Sequence, residues 1–290
     1  MKVLLIGATG LAGRAVAAEL AKRQIAVHTV ARKGAMTEAD ISDAAQLQNL
    51  VHAVDHDIIY NCAANVNIAD CEQDPDGAFA INALPLQILG QWSLKTGKKL
   101  LQVSTDHYYA HGEAYPHTED EPVELLNHYA RTKLQAEEFA LRSPHALVAR
   151  TAIVGVRNWP QPTFAEWVID VVTNDKEVTL FEDAYSSLID VESFAKATLD
   201  LLQIGASGLF NVASSEVFSK GDFIREVARQ MGRSLTRASS GSVKSLGIAR
   251  ARCLGLSVKL AEEKLGYALP SLHDVVEAVV RKHEDGNASI

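Results

Sequence analysis

The sequence predicts an α/β protein, a doubly wound parallel sheet followed by a smaller C-terminal lobe. Three features of the 290-residue chain lead there. Short apolar runs alternate with longer segments of helical periodicity through the first half, the pattern of right-handed βαβ units. A glycine-rich turn joins the first run to the first helical segment. The alternation loosens near residue 156, which divides the chain into 1–155 and 156–290, with some later segments expected back in the main sheet.

"KVLLI" (2–6) has the composition of a buried strand, and "LAGRAVAAELAKR" (11–23) places apolar residues at helical spacing. "AVHTV" (26–30) is the second strand, "AAQLQNLVHAV" (44–54) the second helix and "DIIYN" (57–61) the third strand. A helical region over about 75–95 is interrupted near Pro85. "KLLQVST" (99–105) is a strand, a helix begins at Tyr129, and "ALVART" (146–151) is a further strand. Beyond it, 164–172, 194–202, 222–231 and 274–283 read as helices, and 178–181 and 208–214 as strands.

Composition narrows the function classes. Hydrophobic residues make up 47%, charged residues 22%, and the formal net charge is −8. That balance suits a soluble globular protein and argues against a general nucleic-acid or acidic-membrane surface, while leaving room for a local anion site. Cys62, Cys71 and Cys253 are odd in number and lack metal-ligand spacing, so free thiols in a reducing cytosol and no metal site are expected. The apolar run from Val3 to Gly7 is too short for a signal peptide and no later run approaches a membrane span. A cytoplasmic protein is expected.

"IGATGLAG" sets Gly7, Gly10 and Gly13 between the first strand and the first helix. Glycines there permit a tight turn and bring backbone N–H groups and a helix N-terminus close to a pyrophosphate. In this context the spacing points to dinucleotide binding. An acidic residue that would grip a ribose 2′-hydroxyl is expected at the end of the second strand. The chain has "TVARKG" there, with Arg32 and Lys33. A guanidinium can bind a 2′-phosphate with two hydrogen bonds, which favours NADP over NAD. Asp40 and Ile41, a short loop later, are placed to border the adenine.

"NHYARTKLQAEE" (127–138) puts Tyr129 and Lys133 four residues apart, on one helix face. A tyrosine with a reference pKa of about 10 is a poor acid or base at neutral pH, and a neighbouring ammonium is expected to lower it. "QVSTDHYY" (102–109) sets Ser104 and Thr105 at the C-terminal end of a strand, where open α/β sheets bind ligands. A hydroxyl there can hold the oxygen that the tyrosine protonates.

"GATGLAG", "STD" at 104–106 and "YARTK" at 129–133 resemble the extended short-chain dehydrogenase/reductase superfamily. Within it the chain is similar to the dTDP-4-dehydrorhamnose reductase-like, sugar-nucleotide-binding branch. Supporting stretches are 61–82, 115–138, 208–214 and 254–272, so the resemblance covers nearly the whole chain. It implies a Rossmann-type NAD(P)-binding domain over 1–155 and a substrate-binding lobe over 156–290. It also implies an NAD(P)H-dependent reductase of a nucleotide-activated 4-keto sugar, with a homodimer carried as an expectation. Tyr129 is then the general acid, Lys133 holds the nicotinamide ribose and tunes the tyrosine, and Thr105 orients the substrate. Gly7, Thr9, Gly10 and Leu11 match the pyrophosphate loop, and Ala63 and Ala64 a strand end beside the cofactor.

The chain departs from the branch after "STD", where Tyr, an apolar residue, Phe and Asp-Gly are usual and "HYYAHG" stands instead. His107, His111 and His117 cluster there and read as solvated loop histidines; Cys62 and Cys71 read as thiols without a nucleophilic role. His107 after Asp106 argues against a 4,6-dehydratase, which carries Asp-Glu, and the lack of Cys in 104–112 argues against a GDP-fucose-forming epimerase/reductase. Two alternatives stay open. One is a sugar-nucleotide 4-epimerase with the same triad; the other is a non-catalytic NADP-binding subunit resembling the regulatory subunit of methionine adenosyltransferase. Arg157, Trp159 and the segment 183–187 are candidates for the substrate pocket without an identifying motif.

Overall fold

The N-terminal apolar run forms β1 (Lys2–Ile6), with Val3 to Ile6 buried, and the main sheet extends outward from it on both sides. One side carries β2 (Ala26–Ala31) and the short β3 (Thr37–Glu38). The other carries β4 (Ile58–Asn61), β5 (Lys99–Val103), β6 (Ala146–Arg150) and a seventh strand, Gly208–Asn211. β1 to β6 pair in parallel, with Leu4 opposite His28 on one side and Ile59 on the other. Strand order reverses between β1 and β4, the place where a sheet of this kind leaves an opening for a ligand. This computed structural model describes residues 1–109, 115–243, 251 and 253–288.

The chain divides into two compact units. The first comprises Met1–His107, Leu125–Arg150 and Ala195–Phe210, and the second Tyr108–Glu124, Thr151–Phe194 and the chain from Asn211 onward. In the first, α1 (Leu11–Lys22), α2 (Ala44–Ala53), α3 (Ile68–Gln73), α4 (Pro75–Asn82), α5 (Leu84–Thr96) and α6 (His128–Ala140) accompany the sheet. Leu47, Leu50, Leu86, Leu89 and Trp92 bury their side chains with Leu4, Ile59 and Val148 of the strands. The helical region around Pro85 does break, at Ala83, and Pro85 stands in the first turn of α5, where a missing N–H costs nothing.

The second unit has its own core, in which Val168, Ile169 and Val172 of the helix Phe164–Thr173 meet Phe223, Ile224, Val227, Val275 and Val279. Capping boxes at Thr163 and Ser219 start two of its helices by satisfying amides at their first turns. Sequence periodicity missed β3, α3 and the helix Lys259–Leu265, because two to seven residues are too few for a period to show. It also drew β5 and the seventh strand too long; Ser104 and Thr105 lie beyond the end of β5. Among the described residues no helix is long and apolar enough to cross a membrane.

Gly90 sets how closely α5 and α6 approach. A Cβ there would stand 2.4 Å from the Phe139 carbonyl oxygen of α6, and a backbone atom cannot swing aside as a side chain can. Gly90→Ala gains about 1 kcal/mol of helix propensity but forces apart two packed helices, at a cost of about 1–3 kcal/mol. Net destabilisation is the expected outcome in a denaturant titration, and a more stable variant would refute the close approach.

Candidate active site

At the end of β1 the chain turns through Gly7, at φ +81°, a conformation other residues rarely adopt. The Gly7 and Ala8 amides both donate to the Val30 carbonyl of β2, at 2.8 and 3.1 Å. A Cβ on Gly7 would lie 2.7 Å from the Ala63 amide nitrogen, and one on Gly13 would lie 2.1 Å from the Gly7 carbonyl oxygen. The fold itself requires those two glycines. Gly10 differs: at φ −70° its Cβ would meet the Gly7 oxygen at 3.3 Å, which a small adjustment relieves. As the N-cap of α1 it also offers no side chain to the first-turn amides, which in any helix lack intrahelical partners. The turn is therefore a cradle at a helix N-terminus, with room kept where Gly10 has no side chain.

Around this turn stand the other residues assigned to a cofactor. Leu11 opens α1, and the Thr9 methyl lies 3.8 Å from where a Gly34 Cβ would be, so the glycine turn borders the turn after β2. Arg32 and Lys33 open that second turn and are exposed. The Ser42 hydroxyl and amide hold the Asp40 carboxyl below its usual range, and the Arg32 charge adds to the effect. Ile41 is buried in the core with Leu4 and Val30, so its side chain belongs to the sheet packing. Ala63 and Ala64 follow β4 half-buried, the Ala63 amide donating to Asn61 Oδ1 at 3.1 Å.

α6 starts where Asn127 Oδ1 accepts the Ala130 amide at 2.8 Å and Glu72 of α3 accepts the His128 amide at 2.5 Å. These caps fix the helix just before Tyr129. The Thr105 hydroxyl favours the charged form of the Tyr129 phenol, which places the two side chains close together. Lys133, one turn further on, donates from Nζ to the Val103 carbonyl at 2.7 Å. Thr105, Tyr129 and Lys133 are therefore brought together, at 3%, 7% and 2% exposure. All three lie at the C-terminal end of β5.

The electrostatics correct one expectation. The Tyr129 phenol is pushed above its ordinary range by burial, with Asp106 and Cys71 adding to the rise and the Thr105 hydroxyl opposing it. Burial and a nearby carboxylate outweigh any lowering by Lys133, whose ammonium donates to the Val103 carbonyl. Burial draws Lys133 itself down to about 8, opposed by Glu137 and Cys62. The Cys62 thiol is pushed up by burial, as is that of Cys71, so neither is a ready nucleophile.

The histidines separate. His107 sets its ring edge-on to Tyr129, with centroids 5.7 Å apart, and its Nε2 lies 3.8 Å from Asp106 Oδ1. His117 is not solvated: it is buried in the second unit, stacked 3.9 Å from Tyr109 and paired with Glu121 at 2.9 Å. His111 lies outside the described residues. No cluster of side chains suited to a metal occurs among the described residues. In the second unit the Arg157 guanidinium stands 4.3 Å over the Trp159 ring, Asp183 accepts from Ser242 and Val243, and Ser187 accepts the Leu256 amide. Sequence reasoning used Asp106 and His107 only to argue against a 4,6-dehydratase, and it passed over Glu137 and Arg150. Glu137 had a signal, one further helical turn beyond Lys133; Arg150, on another strand, had none.

The two kinds of glycine make a prediction. Gly10→Ala is expected to fold and to lose at least tenfold in NADPH affinity, because the methyl enters space that the protein does not fill. Gly13→Ala is expected to lose about 1–3 kcal/mol of stability, the usual cost of overpacking. Fluorescence titration with NADPH and thermal unfolding of both variants check this; a Gly10→Ala protein that binds like the parent would remove the cradle reading.

A family model described as the RmlD substrate binding domain matches residues 1–284. The probable low-salt glycan biosynthesis reductase Agl14 of Haloferax volcanii is 29% identical over 299 residues, covering 98% of this chain and 99% of that protein. A dTDP-4-dehydrorhamnose reductase of Mycolicibacterium smegmatis is 27% identical over 234 residues, covering 80% and 69%. Among solved structures, a dTDP-4-dehydrorhamnose reductase of Bacillus anthracis in complex with NADP superposes with a TM-score of 0.86 at 21% identity, covering 97% of this chain and 99% of that one. The fold is thus the Rossmann-type fold of such reductases. With its family model spanning all but the last few residues, the chain belongs to the RmlD substrate binding domain family.

Proposed function

We propose that the protein is an oxidoreductase that reduces the keto group of a nucleotide-activated 4-keto sugar with NADPH, as the reductases it resembles are named to do for dTDP-4-dehydrorhamnose. One observation carries the reading: a buried tyrosine beside a buried threonine at a strand end, with a buried lysine one helical turn away.

The glycine turn and the uncapped first turn of α1 fit a pyrophosphate, with Gly7, Thr9, Gly10 and Leu11 as its binding residues and Ala63 and Ala64 beside it. Arg32 and Lys33 would meet the 2′-phosphate, which makes NADP the preferred cofactor and NAD the alternative. When bound, the reduced nicotinamide supplies the hydride to the keto carbon. The chain's own part is the proton. Tyr129, held firmly as a phenol by burial, donates its proton to the carbonyl oxygen as that oxygen gains charge. Thr105, beside the phenol, is assigned to orient the substrate through the same oxygen. The Lys133 ammonium, anchored on the Val103 carbonyl, is assigned to the nicotinamide ribose. Three free thiols suit a reducing cytosol as the place of action.

Purified protein mixed with NADPH and dTDP-4-dehydrorhamnose is expected to consume the reduced cofactor. Tyr129→Phe keeps the ring but lacks the proton, and single-turnover oxidation should slow by roughly two to four orders of magnitude. A 4-epimerase would interconvert sugar nucleotides without net loss of NADPH, and a regulatory subunit would show no turnover to lose. Either result overturns the proposal. Because Lys133 is protonated only below about 8, kcat/KM is expected to fall as pH rises through that value. A profile flat to pH 10, roughly the ordinary range of a lysine, would show that the ammonium is not required.

A further inference from the structure

Behind Tyr129 and Lys133 stands an ion pair that takes no part in the proton transfer. Glu137 and Arg150 are 2% and 4% exposed. Arg150, at the end of β6, donates from Nη2 to Glu137 Oε2 at 2.9 Å and from Nε to both carboxylate oxygens at 3.2 Å. Ser104 adds a hydroxyl donor to Glu137 Oε1 at 2.6 Å. Removing two charges from water costs much of what their attraction returns, and apolar residues of similar volume often stabilise as well. Stability therefore gives a weak account of this pair. Its position gives a better one.

Glu137 lies one turn beyond Lys133 and two beyond Tyr129, on the same face of α6. Its partner Ser104 stands between Val103, whose carbonyl accepts from Lys133, and Thr105, whose side chain lies beside Tyr129. Three consecutive residues at the end of β5 thus meet three successive turns of one helix face. We propose that Glu137, clamped by Arg150, is a positioning residue that sets α6 against the end of β5 and supplies the anion facing the Lys133 ammonium.

This role deepens the reading of Tyr129 and Lys133 given above and rests on it. The charged and titratable groups near this face are Tyr129 and Glu137 on α6, Cys62 after β4, Cys71 on α3, Asp106 after β5 and Arg150 on β6. Of these, Glu137 is the first to oppose the burial that draws Lys133 down. Without its charge the lysine should give up its proton at a lower pH still.

Titration of Lys133 in the intact protein, followed by NMR of its ε-methylene carbon, tests this directly. Glu137→Gln with Arg150→Met removes both charges together, leaves neither member of the pair buried alone, and keeps an oxygen for Ser104. The Lys133 midpoint is expected to fall by about one pH unit or more. A midpoint equal to the parent's overturns the proposal, since a merely structural pair would leave it in place. Should the double variant not fold, Glu137→Gln alone is read in the same way and with the same two outcomes. The measurement needs no turnover, so it stands apart from the reaction: a parent that never oxidises NADPH would end the reductase reading, while the midpoint would still decide the role of Glu137. In an active parent, the alkaline limb of kcat/KM should move down with the midpoint.

Discussion

Everything at this site hangs on the seam between one strand end and one helix face. Val103 and Ser104 are bonded to Lys133 and Glu137 of α6, and Thr105 lies beside Tyr129 of the same helix. The three do not meet the helix turns in sequence, since Val103 faces the middle turn, Ser104 the last and Thr105 the first, so polar side chains of different length close the seam. The seam holds only while α6 keeps its height. Caps from Asn127 and Glu72 fix its start, and the close approach of α5 at Gly90 fixes its distance.

The same burial that makes the seam rigid sets its chemistry. Tyr129 and Lys133 are nearly withdrawn from water, and burial disfavours the charged form of each: the phenol's range goes up and the ammonium's comes down to about 8. A reductase that protonates a carbonyl needs a phenol that keeps its proton until the oxygen takes it. It also needs a cation that is not lost at neutral pH. The Glu137 charge works toward the second requirement, and the Thr105 hydroxyl moderates the first.

The cradle at the switch point obeys a separate constraint. Gly7 and Gly13 are bare because backbone atoms of Ala63 and Gly7 would meet any Cβ placed there. At Gly10 the demand is weaker, since a Cβ would meet only the Gly7 oxygen, at 3.3 Å, and a shift of a few tenths of an ångström relieves it. Strand order reversing between β1 and β4 puts the cradle beside the end of β4.

The alternation of strands and helices, the glycine turn, and the pairing of Tyr129 with Lys133 could all be read along the chain, because each depends on local periodicity or on spacing within one element. The branch resemblance added Thr105 for the same reason, a short run at a recognisable strand end. What the chain could not show is which groups meet across elements. His117 read as a solvated loop residue and proves buried on Tyr109, because a distant part of the chain also meets it, with the Cys253 carbonyl 3.3 Å from its Nε2. Lys133 was expected to act on Tyr129 as its helical neighbour, yet its ammonium turns to a strand carbonyl. Arg150 sits at the end of an apolar strand and shows no pattern at all until β6 and α6 are packed together. Spacing along a helix decides which side chains share a face; only tertiary packing decides how deeply they are buried and what they touch, and those two quantities set their charge.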